Sequence, residues 1–149
     1  MALKFIIFLV VATPGNNRFH SGTSGLALPI TRSLYPPEFS GKSRLAYYAS
    51  LFNTVEINSS FYKLPRTSTV IKWADSVPPI FQFTFKLSKA ITHVKGLNFN
   101  REDVELFMHT IDYIGNKRGC VLVQLPPALK TEHINQLEKL LKSIKKINI

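Results

Sequence analysis

In Thr54-Val55-Glu56-Ile57-Asn58-Ser59, apolar and polar residues alternate. Successive side chains of a strand point to opposite faces, so Val55 and Ile57 share one side and Glu56 and Asn58 the other. Two later runs repeat the arrangement. In Gln82 to Leu87, Phe83, Phe85 and Leu87 oppose Gln82, Thr84 and Lys86; in Gly119 to Leu125, Val121, Val123 and Leu125 oppose Cys120, Leu122 and Gln124. A parallel strand held between two helix layers is apolar on both faces. These runs have one wholly apolar face and one that turns polar toward its C-terminal end. A closed (β/α) barrel requires that pattern, with apolar residues against the surrounding helices and polar ones at the mouth.

Outward from these strands, the chain keeps a βα rhythm from about Arg18 onward, with Gly, Pro, Ser or Asn at the joints. The first unit runs through Gly22-Thr23-Ser24-Gly25 and a loop with Tyr35-Pro36-Pro37 into a helix near Ser43 to Phe52, for which Ser43 is the N-cap. The second carries Thr54 to Ser59 and a helix near Ser68 to Ser76, with Val70, Ile71 and Trp73 on its apolar side and Pro78-Pro79 as its stop. In the third, Gln82 to Leu87 leads through a loop from Ser88 to Asn100 into a helix from Arg101 to Ile114, ended by Gly115. The fourth is Gly119 to Leu125, Pro126-Pro127 and a helix from Thr131 to Ile144, whose apolar side reads as Ile134, Leu137, Leu141 and Ile144.

Composition narrows the class. The chain has 149 residues, 45% of them hydrophobic, 19% charged and 11% aromatic, which suits one compact domain and argues against disorder. A single cysteine, Cys120, excludes an intramolecular disulfide framework, and no Cys/His cluster has zinc-ligand spacing. The long apolar run, Phe5 to Ala12, is eight residues, far short of the roughly 20 that cross a bilayer. Behind Lys4 it has the outline of a minimal secretory signal; the alternatives are a buried first strand or an extension, residues 1–17, ahead of a domain at 18–149. The expected compartment is the cytoplasm, with export through residues 1–12 as the minor alternative, and no membrane partner is expected.

There are 19 Lys plus Arg against 9 Asp plus Glu, a formal charge of +10. Nucleic-acid binders cluster such residues on one face and interleave exposed aromatics. Here the cations are scattered, and Lys139, Lys142, Lys145 and Lys146 read as the solvated side of the last helix. Nucleic acid or a phosphorylated ligand stays the second choice of partner, carried by Lys63, Arg66, Lys89 and Lys95 with Phe61 and Tyr62, and an unidentified small molecule the first.

Glu56, Asn58, Lys86 and Gln124 converge at the C-terminal rim, where barrel enzymes hold their active sites. Such a set, with His93, suits proton transfer beside a carbonyl or hydroxyl group: Glu56 as base, Lys86 or His93 as acid or electrophile, Asn58 and Gln124 orienting a polar ligand, Tyr62 stacking on it. The structural alternative is that these groups bond one another inside the barrel, Lys86 merely neutralising Glu56. Thr23 and Ser24, in the glycine-flanked turn, are candidates to present backbone N–H groups to an anion; a tight turn explains them equally. Only Glu56 and His93 bring metal-ligand chemistry, too few for a metal centre, and the cofactor stays unknown.

Gly22-Thr23-Ser24-Gly25, Tyr35-Pro36, Leu45-Ala46-Tyr47-Tyr48, the run from Phe52 to Tyr62, Phe83-Thr84-Phe85-Lys86, Ile91-Thr92-His93 and Gln124-Leu125-Pro126-Pro127 together resemble the DUF72 family, also called YecE-like proteins. The resemblance spans about Phe19 to Leu129 and implies a TIM-barrel fold with no established biochemical activity. Leu26 departs from it, standing where the family usually places an aromatic. A complete barrel needs eight βα units and about 250 residues; four are legible here. The expectation is an incomplete barrel, truncated at its C-terminus, that self-associates when made alone or has no independent function.

Overall fold

In the computed structural model, which describes residues 5–6 and 19–147, the strands are β1 (Phe5–Ile6), β2 (Gly22–Thr23), β3 (Thr54–Ile57), β4 (Gln82–Lys86) and β5 (Arg118–Leu122). The helices are α1 (Arg44–Leu51), α2 (Thr67–Asp75), α3 (Lys89–Thr92), α4 (Arg101–Asp112) and α5 (Ile134–Ile147). β3, β4 and β5 form a parallel sheet in chain order. A parallel bridge from Ser24 to Glu56 lays the end of β2 along β3, so four consecutive strand segments run side by side. β1 pairs antiparallel with β2, Phe5 opposite Thr23 and Ile6 opposite Gly22; the rest of the Phe5 to Ala12 run lies outside the described residues. The chain is therefore α/β with a parallel sheet.

The alternation expected for the strands sets the core. Val55, Ile57, Phe83, Phe85 and Leu87 join Tyr48, Val70, Val104, Phe107, Met108, Ile111, Leu140 and Ile144 in one buried cluster between sheet and helices. Burying each large apolar side chain contributes about 1.5–3 kcal/mol. Val55 pairs with Phe83 and Glu56 with Thr84, so apolar and polar rows stay separate across the sheet. β5 advances three positions, from Arg118 to Val121, while β4 advances two, from Phe83 to Phe85. This bulge leaves Val121 beside Phe85 in the apolar row and Leu122 beside Lys86 in the other.

Local chemistry explains the joints. Ser43 accepts a hydrogen bond from Ala46 N and caps α1; Ser88 and Asn100 do the same for α3 and α4. At Gly22 a Cβ would stand 2.0 Å from the Thr54 carbonyl oxygen, so only glycine lets β2 approach β3 this closely.

Four expectations need correction. The segment after β4 contains α3 where a loop was expected, because the Ser88 side chain caps the short run Lys89–Thr92 by accepting from Ala90 N. β3 ends at Ile57, and Asn58–Phe61 turn into a 3-10 helix. On α2, Val70 is buried but Ile71 is exposed. On α5, Ile134 and Leu141 are exposed while Leu140 and Ile144 are buried, since the packed stripe is Leu137, Leu140, Ile144 and Ile147, one position away from the stripe read in the sequence. The four lysines of that helix, Lys139, Lys142, Lys145 and Lys146, do face solvent.

Candidate functional site

β3 is buried on both faces: Val55 and Ile57 lie in the core, and Thr54 and Glu56 are buried on the opposite side. Glu56 is 2% exposed, and its Oε2 is buried with no hydrogen-bond partner among the described residues. Asn58, two residues on, has its Oδ1 in the same condition. Leaving such a group unpaired costs about 1–3 kcal/mol, so each calls for an explanation.

Lys86 ends β4, on the same sheet face as Glu56 and two rows further along. The ion pairs among the described residues are Arg101–Glu105, Asp112–Arg118, Glu132–His133 and Glu138–Lys142; none uses Glu56 or Lys86. Lys86 instead holds its Nζ 4.5 Å from the centre of the Phe61 ring. Phe61 is the hub of this end of the sheet. Its ring lies edge-on to Tyr62 and to His93, 5.0 Å from each, and Lys89 Nζ sits 5.6 Å from the Tyr62 ring. Cations over aromatic faces are favoured by about 0.5–2 kcal/mol.

The turn carrying these rings is anchored. Ser60 is fully buried, its hydroxyl 2.6 Å from the Ile57 carbonyl and 2.7 Å from the Lys86 carbonyl, which ties the end of β3 to the end of β4. His93 is exposed at the end of α3, with Nδ1 2.9 Å from Thr92 Oγ1. The Thr92 hydroxyl has one proton and directs it to the Ser88 carbonyl at 3.1 Å. A neutral imidazole that donates from Nδ1 to Thr92 Oγ1 keeps Nε2 as a hydrogen-bond acceptor.

The glycine-flanked turn is arranged differently. Thr23 is 1% exposed; its N–H donates to the Tyr48 hydroxyl at 2.7 Å and its Oγ1 to the Gly25 carbonyl at 2.6 Å. Gly25 N donates to the Glu56 carbonyl at 2.8 Å. The Thr23 and Gly25 amides are thus occupied within the fold. The Tyr48 hydroxyl donates on to Thr54 O at 3.1 Å. Burial holds the Tyr48 phenol above its ordinary pKa, against the hydrogen bonds from Thr23, which pull it down.

Of the residues proposed from sequence, Lys86, Tyr62 and His93 gather around Phe61, Glu56 in β3 and Asn58 just past its end are acceptors without a partner among the described residues, and Ser24 flanks Glu56 by backbone pairing. Thr23 is enclosed by its own bonds, and Gln124 is exposed two residues beyond β5. Sequence reasoning missed Ser60 as an anchor and Tyr48 as a lock. A serine just past a strand end and a tyrosine on the inner side of α1 are weak signals, since both are common without a role.

A family model described as "Protein of unknown function DUF72" matches residues 20–149. The chain belongs to that family. Among DUF72 relatives, the UPF0759 protein YunF of Bacillus subtilis is 33% identical over 102 residues, 64% of this chain and 36% of the relative. The UPF0759 protein YecE of Escherichia coli K12 is 29% identical over 104 residues, 70% of this chain and 38% of the relative. A solved DUF72 protein from Thermotoga maritima superposes with a TM-score of 0.63 at 27% identity, covering 82% of this chain and 50% of that one. One from Enterococcus faecalis gives 0.61 at 25% identity, covering 72% and 43%. The chain thus spans little more than a third of the length of the curated relatives it matches. Among the described residues no helix is long and apolar enough to cross a membrane.

Proposed function

We propose that the chain contributes four consecutive βα units of a (β/α)8 barrel, and that the polar face of its strands forms a small-molecule site at their C-terminal ends. Support for the barrel comes from strand segments that neighbour one another in chain order, with helices against one apolar face. A second helix layer on the polar face of the complete sheet would favour a doubly wound arrangement instead. The unpaired cysteine, Cys120, fits a cytoplasmic setting.

The observation that carries the site is Glu56: a residue 2% exposed, its Oε2 without a partner among the described residues and Lys86 turned onto Phe61 rather than toward it. In a purely structural network these two side chains would satisfy each other. In the chemistry we infer, Glu56 accepts a proton or hydrogen bond from the ligand, Asn58 orients it, and Lys86 with His93 faces the charge that develops.

The test is a thermal-shift screen of small molecules on the full 149-residue chain, repeated on Glu56→Gln and on Lys86→Met. Compounds that raise the wild-type melting temperature should lose most of that effect in both variants. Compounds whose effect survives in both, or retention on DNA in place of any small-molecule response, would overturn the reading.

A further inference from the structure

The polarity of the unpartnered groups restricts the ligand. Glu56 Oε2 and Asn58 Oδ1 are both acceptors, so what reaches them must donate. Hydroxyl groups, an amine or a metal ion would qualify. At this end of the sheet two cations, Lys86 with its Nζ over Phe61 and Lys89 with its Nζ over Tyr62, stand against the one carboxyl group of Glu56, and the whole chain carries +10. Such surroundings disfavour a cationic ligand and attract an anionic one. Among the described residues no three His, Cys, Asp or Glu side chains are grouped to hold a metal ion. Tyr62, 66% exposed beside Phe61, adds an apolar ring surface next to the charged groups.

Resting on the rim site proposed above, we propose that its ligand is a polyhydroxylated anion. Its neutral hydroxyls donate to Glu56 and Asn58, its carbon skeleton lies on Tyr62, and its phosphate or carboxylate faces Lys86 and Lys89. Neutral donors satisfy the two buried acceptors without placing a cation among lysines. The anionic group gives Lys86 and Lys89 a partner of opposite charge. Neither half of such a molecule uses the whole site, so the two halves bind better joined than apart.

Isothermal titration of the full chain with glucose 6-phosphate, glycerol 3-phosphate and gluconate tests this, with glucose and inorganic phosphate as separate halves and glucosamine as the cationic comparison. At least one of the three polyol anions should bind 10-fold or more tighter than either half and than glucosamine. Preference among them distinguishes a phosphate from a carboxylate. Glu56→Gln and Lys86→Met should each weaken it about 10-fold, whereas Lys142→Met, on the far side of α5, should leave it unchanged. If Glu56→Gln fails to fold, the rim site falls and the ligand class with it. Binding of glucosamine or of one half as tight as the joined ligand overturns the proposal. If other compounds from the screen bind in a Glu56-dependent way and no polyol anion does, the ligand class falls while the rim site stands; if nothing binds, both fall.

Discussion

Where β2 meets β3, the Tyr48 hydroxyl takes the Thr23 N–H at 2.7 Å and gives its own proton to Thr54 O at 3.1 Å, while Thr23 Oγ1 is spent on Gly25 O. Toward the C-terminal ends of β3 and β4, a few residues away, Glu56 Oε2 and Asn58 Oδ1 are buried with nothing to accept from among the described residues, and Lys86 rests on an aromatic ring. Both regions bury polar groups beside the same strand. The junction spends them on holding the chain together; the rim leaves them unspent. Buried polar groups that find partners specify a fold, and those kept without partners lower stability and persist where a ligand completes them.

Substitutions at the junction should therefore cost stability, and the largest loss is expected at Gly22. Gly22→Ala sets a methyl group 2.0 Å from Thr54 O and forces β2 off β3. A loss of about 3 kcal/mol is expected in denaturant unfolding. A variant as stable as the wild type would mean that the close approach is not a constraint.

This contrast was only half legible in the sequence. The alternation of Val55, Ile57, Phe83 and Phe85 against Glu56, Thr84 and Lys86 was readable because strand periodicity is local, and it carried the parallel α/β reading. Ser43 as the cap of α1 was local in the same way. Which polar residues would be satisfied was not readable, because satisfaction depends on groups far along the chain: Thr23 meets Tyr48 25 residues on, and Ser60 meets Lys86 26 residues on. The α5 stripe went astray by one position for a related reason. With Leu137, Leu140, Leu141 and Ile144 all available, two overlapping helical faces are apolar, and packing against the core chose Leu140 over Leu141.

A smaller effect is expected at Tyr48. Tyr48→Phe leaves the Thr23 N–H and the Thr54 carbonyl short of a partner at a cost of about 1–3 kcal/mol. The phenol also predicts a pH dependence. Because its pKa is raised in the folded state, its neutral form is favoured there; that contribution is fully present below the unfolded tyrosine value of about 10 and is lost as pH rises through the folded value. Unfolding followed from pH 8 to 12 should show the wild type losing stability above about pH 10, with a weaker loss in Tyr48→Phe. An equal alkaline loss in both would mean that Tyr48 does not titrate with unfolding.

The rim should respond in the opposite sense, and Glu56 is where the two regions separate most cleanly. The decisive measurement is the unfolding free energy of ligand-free Glu56→Gln beside wild type, in urea at neutral pH. If Glu56 is held for a ligand, the variant should be as stable as the wild type or slightly more so, because the substitution removes no bond within the fold. A loss of about 1–3 kcal/mol, the size expected for Tyr48→Phe, would show that Glu56 belongs to the internal framework and would contradict the rim site.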